Sequence, residues 1–166
     1  MDATQRLSIL HGLAFRQAVW LFPAAFILHV IEEWPRFVTW ANRYASQRFT
    51  ARDYAVIHLS GIVGAVFVAA LLSWARPRPL VFLFFAFLFL PGLFWNVLFH
   101  LGATAVFRAY SPGLITALFV YPPVVYLVSR CAYREGLLSL GSWAAALVIG
   151  GLFHFWEVGH NVFKAW

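Results

Sequence analysis

The chain has 166 residues, of which 63% are hydrophobic and only 11% are charged. Soluble domains carry about 25% charged residues, and small ones leave much of their surface exposed to water. The composition therefore excludes a soluble globular fold.

The net charge of +6 is expected in loops that meet anionic headgroups. No soluble basic domain is available, so a nucleic-acid partner is not expected. The single Cys131 excludes an internal disulfide and a multi-cysteine metal site.

A membrane-spanning helix needs about 20 mostly apolar residues, and five segments satisfy this requirement. They lie near residues 12–33, 54–74, 80–101, 112–129 and 138–158. Two prolines within residues 76–79 predict a short, stiff turn between the second and third spans. The Pro122-Pro123 pair predicts a kink or break within the fourth span. We therefore predict one all-α domain, 1–166, an integral membrane helical bundle of about five transmembrane helices in the cell membrane.

Residues 35–53, between the first two spans, interleave basic and aromatic side chains. Arginines stand at positions 36, 43, 48 and 52, and aromatic residues at positions 37, 40, 44 and 49. Aromatic spacings of three, four and five predict an amphipathic helix lying in the membrane interface. An ordinary polar loop is the alternative interpretation of this segment.

Polar residues within the spans gather at one end of the predicted bundle. Five crossings place the chain ends on opposite sides, here called side A (N-terminal) and side B. Basic residues divide equally between the sides, so the positive-inside rule assigns no orientation. The side B end of four spans holds His29, Glu32, Glu33, His58, Asn96, His100, His154, Glu157, His160 and Asn161. Because polar residues within a membrane are costly and usually functional, this segregation predicts a site at side B.

The spacing of these residues favours shared helix faces. Positions three or four apart lie on one side of a helix. Three groups share this spacing: His29 with Glu32 and Glu33, Asn96 with His100, and His154 with Glu157 and Asn161. Three polar faces at similar depth can converge on one cavity.

Two chemistries suit such a set of side chains. Metal sites use neutral imidazoles and carboxylates as ligands, and helix bundles build dinuclear sites from Glu and His three residues apart. A divalent metal, zinc or iron, in a mononuclear or dinuclear site, would activate water for hydrolysis or give access to oxygen chemistry. Alternatively, paired carboxylates and histidines act without a metal as general acid and base. Isomerisation or cyclisation of a lipid would then be the natural reaction.

In the metal hypothesis, His29, His100 and His154 are ligands. His58 and His160 are further ligand candidates, although a histidine at a helix end is often only a hydrogen-bonded interfacial residue. A purely structural polar network remains the alternative for the whole set.

The acidic and amide residues receive separate roles in this hypothesis. Glu32 and Glu157 are metal ligands or the catalytic general base, while Glu33 and Asn96 take part in catalysis by orienting them. Glu33 has an alternative position in solvent just beyond the bilayer. Arg36 is placed to hold an anionic substrate headgroup.

The run His29-Val30-Ile31-Glu32-Glu33, followed by Trp34-Pro35-Arg36, resembles the opening of the HXXEE family of small membrane proteins. Asn96 and His100 match the NxxxH motif of that family. A later His/Glu motif is matched approximately by His154, Glu157 and His160, with Glu157 three residues after His154 rather than four. The resemblance covers nearly the whole chain. It implies an enzyme whose reaction is unknown, and it supports the site without naming a substrate.

Together these patterns predict a membrane-embedded, metal-dependent enzyme of hydrolase or oxidase type. Its partners would be membrane lipids and a hydrophobic small-molecule substrate reaching the site laterally or from the headgroup layer. One alternative is a metal-free lipid isomerase or cyclase that uses Glu32 or Glu157 as proton donor. Another is a non-catalytic small membrane subunit or a carrier, although the side A half of the bundle offers a carrier no polar path.

Overall fold

The computed structural model describes residues 12–46, 48–74 and 79–163, and the regular secondary structure of this part of the chain is entirely helical, without a β-strand. The turn predicted at residues 76–79 lies largely outside the described residues. The helices are α1 (Phe15–Ala18), α2 (Leu21–Glu33), α3 (Phe37–Tyr44), α4 (Ala51–Trp74), α5 (Pro79–Phe84), a π-helical turn (Phe85–Phe89), α6 (Leu90–Phe107), α7 (Leu114–Phe119), α8 (Tyr121–Arg134) and α9 (Leu140–Asn161).

Four helical stretches are long and apolar enough to cross a membrane. They are Phe15–Glu33, Ala51–Trp74, Pro79–Phe107 and Leu114–Arg134. The fifth predicted span corresponds to α9, whose 22 residues would reach about 33 Å at about 1.5 Å per residue, comparable with the hydrocarbon core. Its polar final turns make α9 less apolar than the other four. The all-helical membrane bundle is confirmed, with four clear spans and α9 beside them.

Prolines interrupt two of the spans. The fourth span breaks at Val120, and α8 then begins with Pro122 in its first turn, where the missing N–H is not needed. The predicted break at the proline pair is thus confirmed. In the third span, a π-helical turn directly precedes Pro91, which cannot donate a hydrogen bond to the carbonyl group of Phe87.

Small residues let α9 pack tightly on the third span. A Cβ atom at Gly150 would lie 2.6 Å from Cβ of Pro91 and 2.8 Å from the carbonyl oxygen of Phe87. A Cβ atom at Gly151 would lie 2.7 Å from the Trp95 ring. The same indole donates from Nε1 to the carbonyl oxygen of Leu147 at 2.7 Å. This close approach fixes the position of the polar end of α9 relative to α6.

The predicted amphipathic segment forms the short helix α3. Phe37, Trp40 and Ala41 are buried, whereas Arg43 is exposed. The Phe37 ring contacts Tyr54 with 5.8 Å between ring centroids, so the apolar face of α3 packs onto the bundle.

Two apolar clusters enclose the polar side chains along the helix axes. On α2, Phe22 and Ala25 belong to the first cluster and are followed by His29 and Glu33, whereas Phe37 at the start of α3 belongs to the second cluster. Both α2 and α6 pack against α7 and α8. This arrangement brings the side B ends of the first and third spans together.

Candidate functional site

Glu33, the last residue of α2, forms the centre of a buried polar cluster. Its side chain is only 3% exposed and faces three histidines. Nε2 of His29 lies 3.4 Å from Oε1 of Glu33, and Nε2 of His100 lies 3.5 Å from the same oxygen. Nε2 of His58 lies 2.9 Å from the other oxygen, Oε2. Three spans therefore meet at one carboxylate.

Hydroxyl groups orient two of the imidazoles. Nδ1 of His29 lies 2.8 Å from Oγ1 of Thr116, and Nδ1 of His100 lies 2.8 Å from Oγ of Ser111. Each bond turns Nε2 of its ring towards Glu33. A partner on the far ring nitrogen is typical of histidines that bind metals, because it fixes both tautomer and orientation.

The donor set of His29, Glu33 and His100 fits a divalent metal ion. One ligand atom from each residue lies within 4.8 Å of the others, and all three side chains are buried. Nε2 of His100 has no hydrogen-bond partner among the described residues, although it is shielded from solvent. A buried nitrogen without a partner is unfavourable, and a bound cation would satisfy it. Two imidazoles and one carboxylate suit zinc as well as non-haem iron.

His58 occupies the other side of the Glu33 carboxylate. Its Nδ1 lies 2.8 Å from the carbonyl oxygen of Tyr54, which can only accept a hydrogen bond, so Nδ1 carries a proton. The imidazole stacks on the Tyr54 ring with 3.9 Å between centroids. The Tyr54 hydroxyl donates to the carbonyl oxygen of Val30 at 3.1 Å. These contacts hold the second span against the end of the first.

Gly113 closes the site on the side of the loop before α7. Its φ angle is +99°, and a Cβ atom there would lie 2.5 Å from Cε1 of His29 and 2.8 Å from Cε1 of His100. Only glycine adopts this conformation without strain, and only a missing side chain leaves room for both rings. The loop backbone therefore forms one wall of the cluster.

Glu32 lies beside this cluster and faces the start of α7. Its Oε2 accepts from Thr116 through the backbone N–H at 2.7 Å and the hydroxyl at 2.6 Å. Its Oε1 accepts from the backbone N–H groups of Gly113 at 3.2 Å and Ile115 at 3.1 Å. Every one of these groups is a donor, so the Glu32 carboxylate acts as an acceptor throughout. It anchors α7 against α2.

The Tyr110 hydroxyl also donates to Oε1 of Glu32. Burial and this hydrogen bond raise the pKa of Tyr110 to about 12. The phenol therefore stays protonated over the physiological range, as a donor to Glu32 must. Arg36 is exposed and directly precedes α3, three residues after Glu33, so it lies at the rim of the cluster.

The remaining predicted residues lie at different distances from Glu33. His154 is 8% exposed, its Nε2 has no hydrogen-bond partner among the described residues, and it interacts electrostatically with His100. Glu157 interacts electrostatically with His58 and Glu33. Both therefore border the cluster without a direct contact to the Glu33 carboxylate among the hydrogen bonds and ion pairs described.

Asn96 and His160 make no hydrogen bond, ion pair or ring contact with the cluster within the described ranges. Oδ1 of Asn96 is buried without a hydrogen-bond partner in that part of the chain. His160 is exposed and stacks on Trp156 with 5.7 Å between ring centroids. The structure thus brings together His29, Glu33, His58 and His100, and leaves His160 outside.

Ser111, Gly113 and Thr116 complete the site but stand outside the histidine and carboxylate pattern of the sequence. All three lie close together in the sequence at the side B end of the fourth predicted span. This location is the sequence feature that points to them as site residues. Tyr54 precedes His58 by four residues, a spacing that places both on one helix face.

A bundle of membrane-spanning helices enclosing a histidine–glutamate cluster defines the class of this protein. A match to the family described as "Protein of unknown function with HXXEE motif" covers residues 20–128. The chain belongs to this family, and His29, Glu32 and Glu33 form its motif. A search of curated proteins and a search of solved structures each found no match.

Proposed function

We propose that this protein is a membrane-embedded enzyme that holds one divalent metal ion through His29, His100 and Glu33. The proposal rests on the convergence of three buried ligand atoms within 4.8 Å, one of them a nitrogen without a hydrogen-bond partner among the described residues. Glu33, rather than Glu32, supplies the carboxylate, because both oxygens of Glu32 are occupied by donors of the α7 loop.

Three protein ligands leave coordination positions open for water or substrate. A bound zinc ion would supply activated water for hydrolysis, and a bound iron ion would supply oxygen chemistry. His58 acts as the proton carrier of the site, because its Nε2 faces Oε2 of Glu33 at 2.9 Å while Nδ1 stays bonded to Tyr54. Any proton on Nε2 is therefore held between His58 and Glu33, where a reacting group can take it up.

The substrate is a lipid or another hydrophobic molecule. The site lies inside a bundle whose outer surface is rich in exposed apolar side chains such as Leu59, Val63 and Phe67, so apolar molecules surround it. Arg36, exposed three residues after Glu33, would bind an anionic headgroup of this substrate. We place the enzyme in the cell membrane.

A metal-free acid–base enzyme is the second candidate function. The 2.9 Å contact between His58 and Glu33 favours it, since a histidine and a carboxylate that share a proton form a general acid–base pair. In that case the same lipid substrate would be isomerised or cyclised.

Elemental mass spectrometry of detergent-purified protein tests the metal proposal. Wild type is expected to retain about one equivalent of zinc or iron per chain, and His29→Ala and His100→Ala are expected to lose it. His160→Ala is the matched control, because this histidine is exposed and stacks on Trp156, and it should keep the metal. A wild type that purifies without metal and stays active with chelators would overturn the proposal in favour of acid–base chemistry.

A further inference from the structure

A chain of two hydrogen bonds connects Glu32 to His29 through the hydroxyl group of Thr116. Oγ1 of Thr116 lies 2.6 Å from Oε2 of Glu32 and 2.8 Å from Nδ1 of His29. The same hydroxyl also faces the carbonyl oxygen of Gly113 at 3.2 Å. Thr116 thus links Glu32, which lies beside the cluster, to His29, which lies within it.

Proton counting fixes the direction of these bonds. A threonine hydroxyl has one proton to donate. The Glu32 carboxylate already accepts from three backbone N–H groups, and the Gly113 carbonyl can only accept. Oε2 of Glu32 lies only 2.6 Å from Oγ1 of Thr116 and can only accept, so the Thr116 proton points to Glu32 and Oγ1 accepts from His29. Nδ1 of His29 therefore carries a proton, and when the ring holds no second proton the lone pair of Nε2 points towards Glu33 and His100.

We infer that Glu32 and Thr116 are positioning residues that hold His29 in the Nδ1–H tautomer, with Nε2 ready to bind a metal ion. The inference rests on the proposed function, and it gives the first glutamate of the HXXEE motif a role distinct from the second. Glu33 is a ligand, whereas Glu32 acts on the ligand His29 through a hydroxyl group.

Ser111 makes the corresponding contact with His100 without fixing the tautomer. Its hydroxyl lies 2.8 Å from Nδ1 of His100, and the described contacts show no second acceptor that claims its proton. Either atom can be the donor there. The difference singles out Thr116 as the hydroxyl whose removal should affect metal binding most.

Zinc affinity of two Thr116 variants tests this inference. Thr116→Val keeps the shape of the side chain and removes the hydroxyl, and removal of such an outer partner typically weakens metal binding about 10–100-fold. Thr116→Ser restores the hydroxyl and should recover most of the affinity. If both variants melt at a temperature close to that of wild type, a loss of zinc affinity in Thr116→Val reflects the orientation of His29 and not damage to the fold.

Nitrogen-15 NMR of histidine-labelled, metal-free protein at alkaline pH gives an independent measurement. The signals missing from His29→Gln identify His29, and they should show a protonated Nδ1 and an unprotonated Nε2 in wild type. An Nε2–H tautomer, or a Thr116→Val variant that binds zinc as tightly as wild type, would overturn the inference. A wild type that shows the Nδ1–H tautomer but binds no zinc would instead count against the proposed function alone.

Discussion

Nε2 of His58 lies 2.9 Å from Oε2 of Glu33, which joins the second span to the end of the first inside the bundle. The opposite oxygen of the same carboxylate faces His29 and His100. The two oxygens of Glu33 therefore have different neighbours: a pair of imidazoles suited to a metal on one side, and the His58 imidazole on the other. One buried carboxylate thus serves both sides of the cluster.

The two adjacent glutamates of the motif should respond differently to removal of their charge. Glu33→Gln replaces a ligand oxygen by an NH₂ group at the centre of the cluster, so nearly all bound metal should be lost. Glu32→Gln should keep the metal, because the amide still offers one oxygen to Thr116. Its free energy of unfolding should fall by about 1–3 kcal/mol, since an NH₂ group would face backbone donors.

Metal content and denaturant unfolding of the two variants, measured side by side, check this prediction. Loss of metal in Glu32→Gln together with full retention in Glu33→Gln would reverse the assigned roles.

A side chain at Gly113 should disturb the cluster directly. In Gly113→Ala the new methyl group would lie within 2.8 Å of Cε1 on both His29 and His100. The left-handed backbone adds strain of about 1–3 kcal/mol. We expect metal affinity to fall at least about tenfold and the melting temperature to decrease.

Gly102→Ala is the matched control for that variant, because it lies in the same helix as His100 and no described atom lies within 4 Å of a Cβ there. It should bind metal as wild type does. Equal metal affinity of the Gly113 and Gly102 variants, measured by competition with a chelating dye, would show that the loop does not shape the site.

Most of the fold follows from sequence patterns with a strong physical cause. Apolar runs of about 20 residues must span the bilayer, and the pair Pro122-Pro123 must interrupt a helix. The π-helical turn at Phe85–Phe89 has no comparable signal, because it follows from how the helix accommodates Pro91 while packing on α9. The separation of α1 from α2 near Val19 also has no comparable signal, because it lies within an apolar run.

The candidate site was only partly predictable for a geometric reason. Neighbouring residues on a helix point about 100° apart, so only one of Glu32 and Glu33 can face the cluster. Because α2 is apolar on most of its sides, its sequence does not show which of these two glutamates faces the cluster. Thr116 and Gly113 matter through a hydroxyl bond and an absent side chain, and both effects depend on how α7 docks on α2.

Packing of α9 on the third span should depend on Gly150. Gly150→Ala would place a methyl group 2.6 Å from Cβ of Pro91 and 2.8 Å from the Phe87 carbonyl oxygen. Such overpacking typically destabilises by about 1–3 kcal/mol. Gly141→Ala in the same helix is the control, because its Cβ would meet no described atom within 4 Å.

Since alanine favours helices over glycine, Gly141→Ala should leave stability unchanged or raise it. Thermal unfolding in detergent compares the two variants. A Gly150→Ala protein as stable as Gly141→Ala would contradict the close helix packing.

X-ray absorption spectroscopy of the metal-loaded protein counts and identifies the metal ligands, and so tests the proposed centre itself. We predict two imidazole nitrogens and at least one oxygen at about 2.0–2.1 Å for zinc, with the same spectrum in the control variant His160→Ala. A metal shell without imidazole, or one with three or more imidazoles, would contradict a centre built from His29, His100 and Glu33.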